Sequence, residues 1–304
     1  MVVVTAGNKY LDIDAYASCV AYVKLLNAMG VDAVFASSAT INASVSSVVR
    51  IYDHMILGNY VPKKDDKFIV LDVSNPDFID KIVQKSNLIE IIDHHTGFET
   101  YWNKNGRKVQ IEFIGSVATI IFEKIVEANK TEILNPDMCK LLIAAILDNT
   151  LNLKASITTD RDLKAYKMLS KIGRVPKSFK DEYFNSCQEE INKNIVLAIE
   201  KDVKTENISK EFPSVFGQLT IYSKPPIFNK LGEIERFFES FNKPWILNLI
   251  CIKDGKSYIF SSRNAKRTIE TLFCKKFKNN VLTLSKFMLR KQIIKKAREL
   301  LENK

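Results

Sequence analysis

The sequence predicts an α/β protein, in which a parallel sheet with helices on both faces is followed by a smaller α+β domain. In the first half, short apolar runs rich in Val and Ile alternate with helical patterns, which is typical of βαβ units. Hydrophobic residues make up 46% and charged residues 26% of the 304 residues, enough to bury a core in each of two domains. Eight prolines and ten glycines are too few for a loop-rich all-β fold.

Four apolar runs of the first half have the length and composition of buried strands, and helical patterns lie between them. The strands are predicted at Val2–Thr5, Ala33–Ser37, Phe68–Asp72 and Leu88–Asp93. The intervening helices are predicted at Ala15–Met29, Asn42–Met55 and Pro76–Gln84. Helices then dominate from Ser116 to Ile172, where Pro136 and Asp160 are placed as helix starts.

The segment 173–178 contains Gly and Pro and is the best linker candidate. It divides the chain into a domain at 1–175 and a domain at 176–304. The second domain is predicted to be α+β, with a long helix and three strands before a basic C-terminal helix. These elements are predicted at Phe179–Lys201, Gln218–Tyr222, Trp245–Ile252 and Ser257–Ser262.

Three features of the chain predict a cytoplasmic protein. No apolar run approaches the ~20 residues that are needed to span a bilayer. The start at Met1–Thr5 has no basic n-region and is typical of a strand rather than of a signal peptide. The five cysteines are odd in number and form no C-x-x-C pair, which favours a reduced, intracellular protein.

The positive charge of the chain is concentrated at its end. The formal net charge is +10, and residues 275–304 hold ten basic and two acidic residues, a net charge of +8. Such a patch can bind a phosphate-rich ligand, from an inorganic anion to RNA. The alternative is the solvated face of an amphipathic helix, because apolar residues recur there at helical spacing. These are Leu284, Phe287, Met288, Ile294, Ala297 and Leu301.

Acidic and imidazole side chains follow several of the apolar segments. In open α/β sheets, ligands bind at the carboxyl ends of the strands, so these side chains are expected at one rim. Asp12 and Asp14 follow the first predicted strand, and Asp72 ends the third. Asp93 ends the fourth strand and is followed by His94 and His95, and Asp148 ends a helical run.

This combination of side chains predicts a metal centre. Packed carboxylates repel one another unless a proton or a cation neutralises them. Oxygen ligands with an imidazole suit Mn²⁺ or Mg²⁺, and Asp72 could bridge two ions ~3.5–4 Å apart that hold a phosphoryl group. We expect the carboxylates of Asp12, Asp14 and Asp72 and a nitrogen of His94 to lie ~4–5 Å apart. Taken singly, each Asp is more typical of a helix cap or a turn than of a metal ligand.

The same residues resemble the motifs of the DHH phosphoesterases, in the branch with a DHHA2 second domain. This branch contains exopolyphosphatases, prune-type proteins and family II inorganic pyrophosphatases. Gly7-Asn8 is closer to exopolyphosphatase and prune than to pyrophosphatase, and the absence of a Gly-Gly-Gly-His run weighs against an exonuclease. The resemblance spans nearly the whole chain and rests on Asp12-Ile13-Asp14, Asp72, Asp93-His94-His95, Gly115–Thr119, Ala144–Lys154 and Thr158-Thr159-Asp160.

The resemblance implies a role for each of these side chains. A two-metal site for Mn²⁺ or Mg²⁺ would be held by Asp12, Asp14, Asp72 and His94, and completed by Asn8 and by Asn149 or Asp148. Asp93 and His95 would be the catalytic pair, with Asp93 orienting an imidazole. His95, together with Lys204 and Arg263 of the second domain, would bind the substrate phosphates.

Two departures from the family pattern predict weaker metal binding. The chain reads Asp72-Val73-Ser74 where the family reads Asp-His-Asn, so both polar neighbours of the bridging carboxylate are expected to be lost. Asn149 stands where the family has a ligand Asp, and Asp148 points about 100° away from it on a helix.

Two functions of different classes follow. The first is a divalent-metal-dependent phosphoanhydride hydrolase that acts on pyrophosphate, polyphosphate or a related small molecule. The second is a catalytically degenerate protein of the same fold that binds RNA or the ribosome through the basic C-terminal helix. Phosphodiester cleavage in nucleotides or oligonucleotides is the remaining alternative.

Overall fold

The computed structural model describes residues 1–103, 107–210 and 212–302. The chain forms two compact units, Met1–Ser186 and Cys187–Lys304, and each contains its own sheet. The predicted linker at 173–178 lies within the first unit, and the predicted domain boundary at 175/176 stays a prediction. Among the described residues, no helix is long and apolar enough to cross a membrane.

The first unit is built on a parallel sheet, as predicted. Its strands are β1 (Val2–Thr5), β2 (Tyr10–Leu11), β3 (Ala33–Ala36), β4 (Thr40–Ile41), β5 (Ile56–Leu57), β6 (Lys67–Leu71), β7 (Leu88–Asp93) and β8 (Lys108–Ile111). The order in the six-stranded sheet is β5-β3-β1-β6-β7-β8, and all neighbours are parallel. The short strands β2 and β4 pair separately. The four predicted strands are therefore confirmed within one residue at each end.

Helices supply the rest of the core of the first unit. They are α1 (Ile13–Ala28), α2 (Glu99–Trp102), α3 (Val117–Glu127), α4 (Pro136–Asn149) and α5 (Asp160–Ile172), with 3₁₀ turns at Ser47–Met55, Lys85–Asn87 and Thr131–Ile133. Helix α6 (Phe179–Lys193) begins in the first unit and ends in the second. The predicted starts at Pro136 and Asp160 are confirmed. Helix α1 is buried along most of its length and packs against α3 and α4, which explains its nearly continuous apolar sequence.

The second unit contains a mixed five-stranded sheet. Its strands are β9 (Lys204–Thr205), β10 (Val215–Ile221), β11 (Trp245–Cys251), β12 (Lys256–Ser261) and β13 (Leu282–Leu284). The order is β13-β12-β11-β10-β9, in which only the β10–β11 pair is parallel. The helices are α7 (Ile195–Glu200), α8 (Pro225–Phe228), α9 (Leu231–Glu239), α10 (Lys266–Phe273) and α11 (Arg290–Glu302), with a 3₁₀ turn at Arg263–Ala265. The α+β prediction is confirmed.

Two predicted helices of the first unit are wrong because side chains tie the backbone into turns. In the segment predicted as a helix at Asn42–Met55, the Asn42 side chain accepts a hydrogen bond from the Ser44 N–H (3.0 Å), so only a 3₁₀ helix forms, from Ser47. The segment Pro76–Gln84 forms turns, because the buried Asp80 carboxylate binds the N–H and hydroxyl of Ser38 at 2.7 and 2.8 Å.

Two helices of the second half begin or end differently from the prediction. The long helix expected at Phe179–Lys201 is interrupted at Asn194, whose side chain caps α7 by accepting the N–H of Leu197 (3.0 Å). The basic helix α11 begins only at Arg290, because Leu284 pairs with Ser257 as part of β13. Residues 303 and 304 lie outside the described residues.

Candidate metal centre

The acidic residues predicted to share a rim follow the carboxyl ends of β1, β6 and β7. Asp12 caps α1, Asp72 follows β6 directly, and Asp93 is the last residue of β7. Asp72 has a left-handed backbone, with φ of 60°, and its N–H donates to the carbonyl oxygen of Ile92 at 2.9 Å. A left-handed non-glycine residue costs free energy and is concentrated at functional sites.

Four side chains form a compact cluster at this rim. One possible ligand atom from each of Asp72, Asp93, His94 and His95 lies within 4.8 Å of all the others. Nε2 of His94 is 3.4 Å from Oδ1 of Asp72, and the Asp72 side chain is only 4% exposed. Oδ1 of Asp72 is buried without a hydrogen-bond partner among the described residues, which is costly for a carboxylate oxygen.

The orientation of His94 makes this cluster suitable for a cation. Nδ1 of His94 is 3.0 Å from the carbonyl oxygen of Ile114. A carbonyl only accepts, so Nδ1 carries a proton, and in the neutral form of the ring Nε2 presents its lone pair to Asp72. Two ligand atoms at about 2.1 Å from one cation lie about 3.0–3.4 Å apart at octahedral or tetrahedral angles. The separation of His94 and Asp72 therefore fits a shared divalent cation.

Asp93 orients the loop that carries both histidines. Its Oδ1 accepts the backbone N–H groups of His94 (2.7 Å) and His95 (3.1 Å) and Nδ1 of His95 (2.8 Å). Burial opposes ionisation, but the hydrogen bond and charge of His95 outweigh it and lower the pKa of Asp93. The His95 side chain is 62% exposed, so its ring is held by Asp93 while remaining open to solvent.

Asp14 is fully buried and bound to the start of α3. Its Oδ1 accepts the Ser116 hydroxyl (2.8 Å) and the Ala118 N–H (2.9 Å), and its Oδ2 accepts the Val117 N–H (2.8 Å). The side-chain amide of Asn149 also donates to Oδ2. Burial and the charge of Asp12 raise the pKa of Asp14 to about 7, and the donors of α3 oppose that rise. Asp14 lies outside the four-residue cluster.

The other predicted ligands of the first unit lie outside the four-residue cluster. Burial raises the pKa of Asp12, and a hydrogen bond shared with the carboxyl of Asp72 opposes the rise. Burial also raises the pKa of Asp148 to about 7, although Tyr183 donates its hydroxyl to Oδ1 of Asp148 at 3.1 Å. Asn8 donates its amide to the carbonyl oxygen of Asp77 at 3.2 Å. The parts of Asn8, Asp12, Asp14, Asp148 and Asn149 in holding an ion stay predictions.

The two predicted substrate residues of the second unit are exposed. Lys204 lies on β9, and Arg263 begins the 3₁₀ turn that follows β12. Their contacts with substrate phosphates stay predictions.

Sequence analysis missed the supporting role of Ser74. The structure differs from the expectation that both polar neighbours of Asp72 are lost, because Ser74 is buried and donates its hydroxyl to the carbonyl oxygen of His95 at 2.9 Å. Nε1 of Trp102 donates to the carbonyl oxygen of Ser74 at 2.5 Å. The Ser74 hydroxyl also contributes to lowering the pKa of Asp93. A serine two residues after a strand-end Asp was the available signal.

Comparison with known proteins agrees with this geometry. Residues 2–146 match the model of the DHH family N-terminal domain, so the first unit contains a DHH family domain. A manganese-dependent inorganic pyrophosphatase from Methanothrix thermoacetophila is 27% identical over 304 aligned positions, which cover 94% of each chain. One from Methanocaldococcus jannaschii is 29% identical over 182 positions, which cover 56% of this chain and 55% of the relative.

Two solved structures share the fold. A Methanococcus jannaschii protein assigned to the family II inorganic pyrophosphatases superposes with a TM-score of 0.72 at 23% identity, covering 98% of this chain and all of that one. An exopolyphosphatase-related protein from Bacteroides fragilis has a TM-score of 0.53 at 14% identity, covering 99% of this chain and 92% of that one. The predicted α/β class is therefore confirmed.

Proposed function

We propose that the protein is a divalent-cation-dependent hydrolase of phosphoanhydrides, with pyrophosphate as the first substrate to test and inorganic polyphosphate as the second. The observation that carries this proposal is the buried Oδ1 of Asp72, which has no hydrogen-bond partner in the described part of the chain and lies 3.4 Å from Nε2 of His94. The relatives named manganese-dependent inorganic pyrophosphatases support it. A mixed set of carboxylate and imidazole ligands suits Mn²⁺ better than it suits Mg²⁺.

The side chains of the rim have distinct parts in this proposal. Asp72 and His94 would hold the cation, with the neighbouring carboxyl of Asp12 as a third ligand. When bound, the cation neutralises phosphate oxygens and acts as a Lewis acid toward the phosphorus centre. Asp93 holds Nδ1 of His95, and the exposed ring of His95 would contact a substrate phosphate. Lys204 and Arg263 would add positive charge around the phosphates.

The test is phosphate release by the purified protein from pyrophosphate and from polyphosphate, with Mn²⁺ and with Mg²⁺. We expect release with Mn²⁺, and we expect Asp72→Asn to reduce it by about 100-fold or more, because a ligand charge is lost. The matched control is Asp65→Asn, which removes the same charge from an exposed position. Folded wild-type protein that releases phosphate from neither substrate with either ion would refute the proposal.

Binding to RNA or the ribosome is the second candidate function. It is favoured by exposed lysines in α11 and in the segment just before it. Lys286, Lys291, Lys295 and Lys296 are exposed. Part of the positive charge is neutralised within the unit, since Arg290 pairs with Asp202 at 2.8 Å, Arg298 with Glu206 at 3.3 Å and Lys295 with Glu299 at 3.9 Å. The patch available to a partner is thus smaller than the charge count of the sequence indicates.

The second candidate is tested by co-sedimentation with RNA and with ribosomes across a salt series. The variant carries Lys→Ala at 291, 295 and 296. Each lost phosphate contact should reduce the slope of log affinity against log salt by about one unit, on any RNA sequence. If wild-type protein does not bind even at low salt, this candidate is refuted. A cytoplasmic location belongs to the proposal as well, supported by the odd cysteine count and the lack of a C-x-x-C pair.

A further inference from the structure

The carboxylate of Asp14 has no acceptor capacity left for a cation. A carboxylate offers about four lone-pair sites. Besides Ser116, Val117, Ala118 and Asn149, the Ser18 hydroxyl donates to Oδ1 of Asp14 at 3.4 Å, so five donors surround two oxygens. Two of these donors are backbone N–H groups in the first turn of α3, where N–H groups lack intrahelical partners and the helix dipole favours negative charge.

The side chain of Asn149 completes this arrangement from the end of α4. With Asp14 ionised, the amide nitrogen of Asn149 faces Oδ2 of Asp14, because the flipped amide would set two acceptor oxygens against each other. An aspartate at this position would bring a second carboxylate to the same place. Two carboxylates in contact need a proton or a cation between them. The amide of Asn149 removes that need.

Asp72 and Asp14 lie at the same rim but differ in their hydrogen bonds. Oδ1 of Asp72 is buried with no hydrogen-bond partner among the described residues, whereas both oxygens of Asp14 are satisfied. We propose that the Asn149 amide takes the place of a second divalent cation, so that Asp14 is a helix cap and the centre binds one cation, at Asp72 and His94. This inference rests on the cation part of the proposed function and does not depend on the substrate.

The test is the number of Mn²⁺ ions bound per chain, measured without substrate by equilibrium dialysis with electron paramagnetic resonance of the unbound ion. We expect one ion for wild type and two for Asn149→Asp. Asn152→Asp is the matched control, because it adds the same charge three residues further along, and it should bind one ion. In EDTA, the melting temperature of Asn149→Asp should be lower than that of wild type. Adding Mn²⁺ should raise the melting temperature of Asn149→Asp by more than it raises that of wild type.

The outcomes separate this inference from the proposed function. Two ions on the wild-type chain, or none, would overturn the inference. One ion on Asn149→Asp with an unchanged melting temperature in EDTA would overturn it too. One ion on wild type and two on Asn149→Asp would support it even if neither protein released phosphate, and that absence of turnover would refute the proposed function alone.

Discussion

Asp72 and Asp14 are two carboxylates of one rim with opposite surroundings. Both are buried, and burial raises the pKa of both above the ordinary range. Asp14 receives two backbone N–H groups, two hydroxyls and an amide, whereas Oδ1 of Asp72 receives no hydrogen bond from the described residues. Burial and a raised pKa therefore do not distinguish a metal ligand from a structural cap. The supply of donors does.

Backbone geometry explains the difference. Asp14 faces the first turn of α3, which presents N–H groups that no helical carbonyl can reach. Asp72 lies at a left-handed turn after β6, where its own N–H donates to the carbonyl oxygen of Ile92 and its Oδ1 lies 3.4 Å from Nε2 of His94. The Asp14 carboxylate therefore faces hydrogen-bond donors, whereas Oδ1 of Asp72 has no donor among the described residues.

The largest expected effect is the loss of metal binding in Asp72→Asn. We expect Mn²⁺ affinity to fall by about 100-fold or more, because a charged ligand is removed. Stability in EDTA should be unchanged or higher, since the change relieves repulsion with Asp12 and the new amide can donate to Nε2 of His94. Isothermal titration calorimetry and melting in EDTA measure the two effects. A variant that binds Mn²⁺ as wild type does would remove Asp72 from the metal centre.

Asp14→Asn should show the opposite pattern. An amide nitrogen or a neutral oxygen replaces a charged acceptor of five donors, so we expect a loss of about 3 kcal/mol in the free energy of unfolding. The Mn²⁺ affinity of the folded fraction should stay near that of wild type. Urea unfolding with and without Mn²⁺ measures both quantities. If Asp14→Asn kept wild-type stability and lost Mn²⁺ binding, Asp14 would be a metal ligand and not a helix cap.

Asp148 is an intermediate case, because Tyr183 donates a hydrogen bond to its carboxylate and burial raises its pKa to about 7. A carboxyl whose folded pKa is raised binds more protons in the folded state, so stability falls as pH rises from about 4 to about 7. In EDTA, Asp148→Asn should flatten this decline by at most about 1.4 kcal/mol per pH unit, while its oxygen still accepts from Tyr183. Urea unfolding between pH 5 and pH 8 is the measurement, with Asp65→Asn as the unchanged control. A slope equal to that of wild type would contradict the raised pKa.

Two serines provide the smallest and most specific test. Ser74 supports the His95 carbonyl and Ser116 supports the Asp14 carboxylate, so Ser→Ala removes one hydroxyl on each side of the rim. Ser74→Ala should weaken Mn²⁺ binding by about 10-fold, as loss of a second-layer hydrogen bond at a metal site does. Ser116→Ala should cost about 1 kcal/mol of stability with unchanged Mn²⁺ affinity. Equal effects of the two variants on Mn²⁺ affinity would contradict the assignment of Asp72 as a ligand and Asp14 as a cap.

Local pattern was sufficient for much of the fold. The runs at Val2–Thr5 and Leu88–Asp93 are strands with the predicted bounds, because β-branched residues bounded by polar ones have few other buried conformations. The helix expected at 76–84 is wrong because a distant partner, Ser38, holds Asp80 in a turn, and the helix expected at 42–55 is wrong because the Asn42 side chain binds the backbone of Ser44. Local helix propensity is too small to resist such contacts.

The sequence by itself determined which chemical groups reach the rim, since strand ends and the residues that follow them are set by neighbours in the chain. Asp72, Asp93 and His94 could be placed together from their strands alone. Only the tertiary structure decided which carboxylate is satisfied, because the donors are remote. Ser116 is 102 residues from Asp14 and Asn149 is 135 residues away, and no local pattern encodes their approach. Hydrogen bonds act over about 3 Å. Whether Asp14 is a helix cap or a metal ligand is therefore decided only after α3 and α4 have packed against α1.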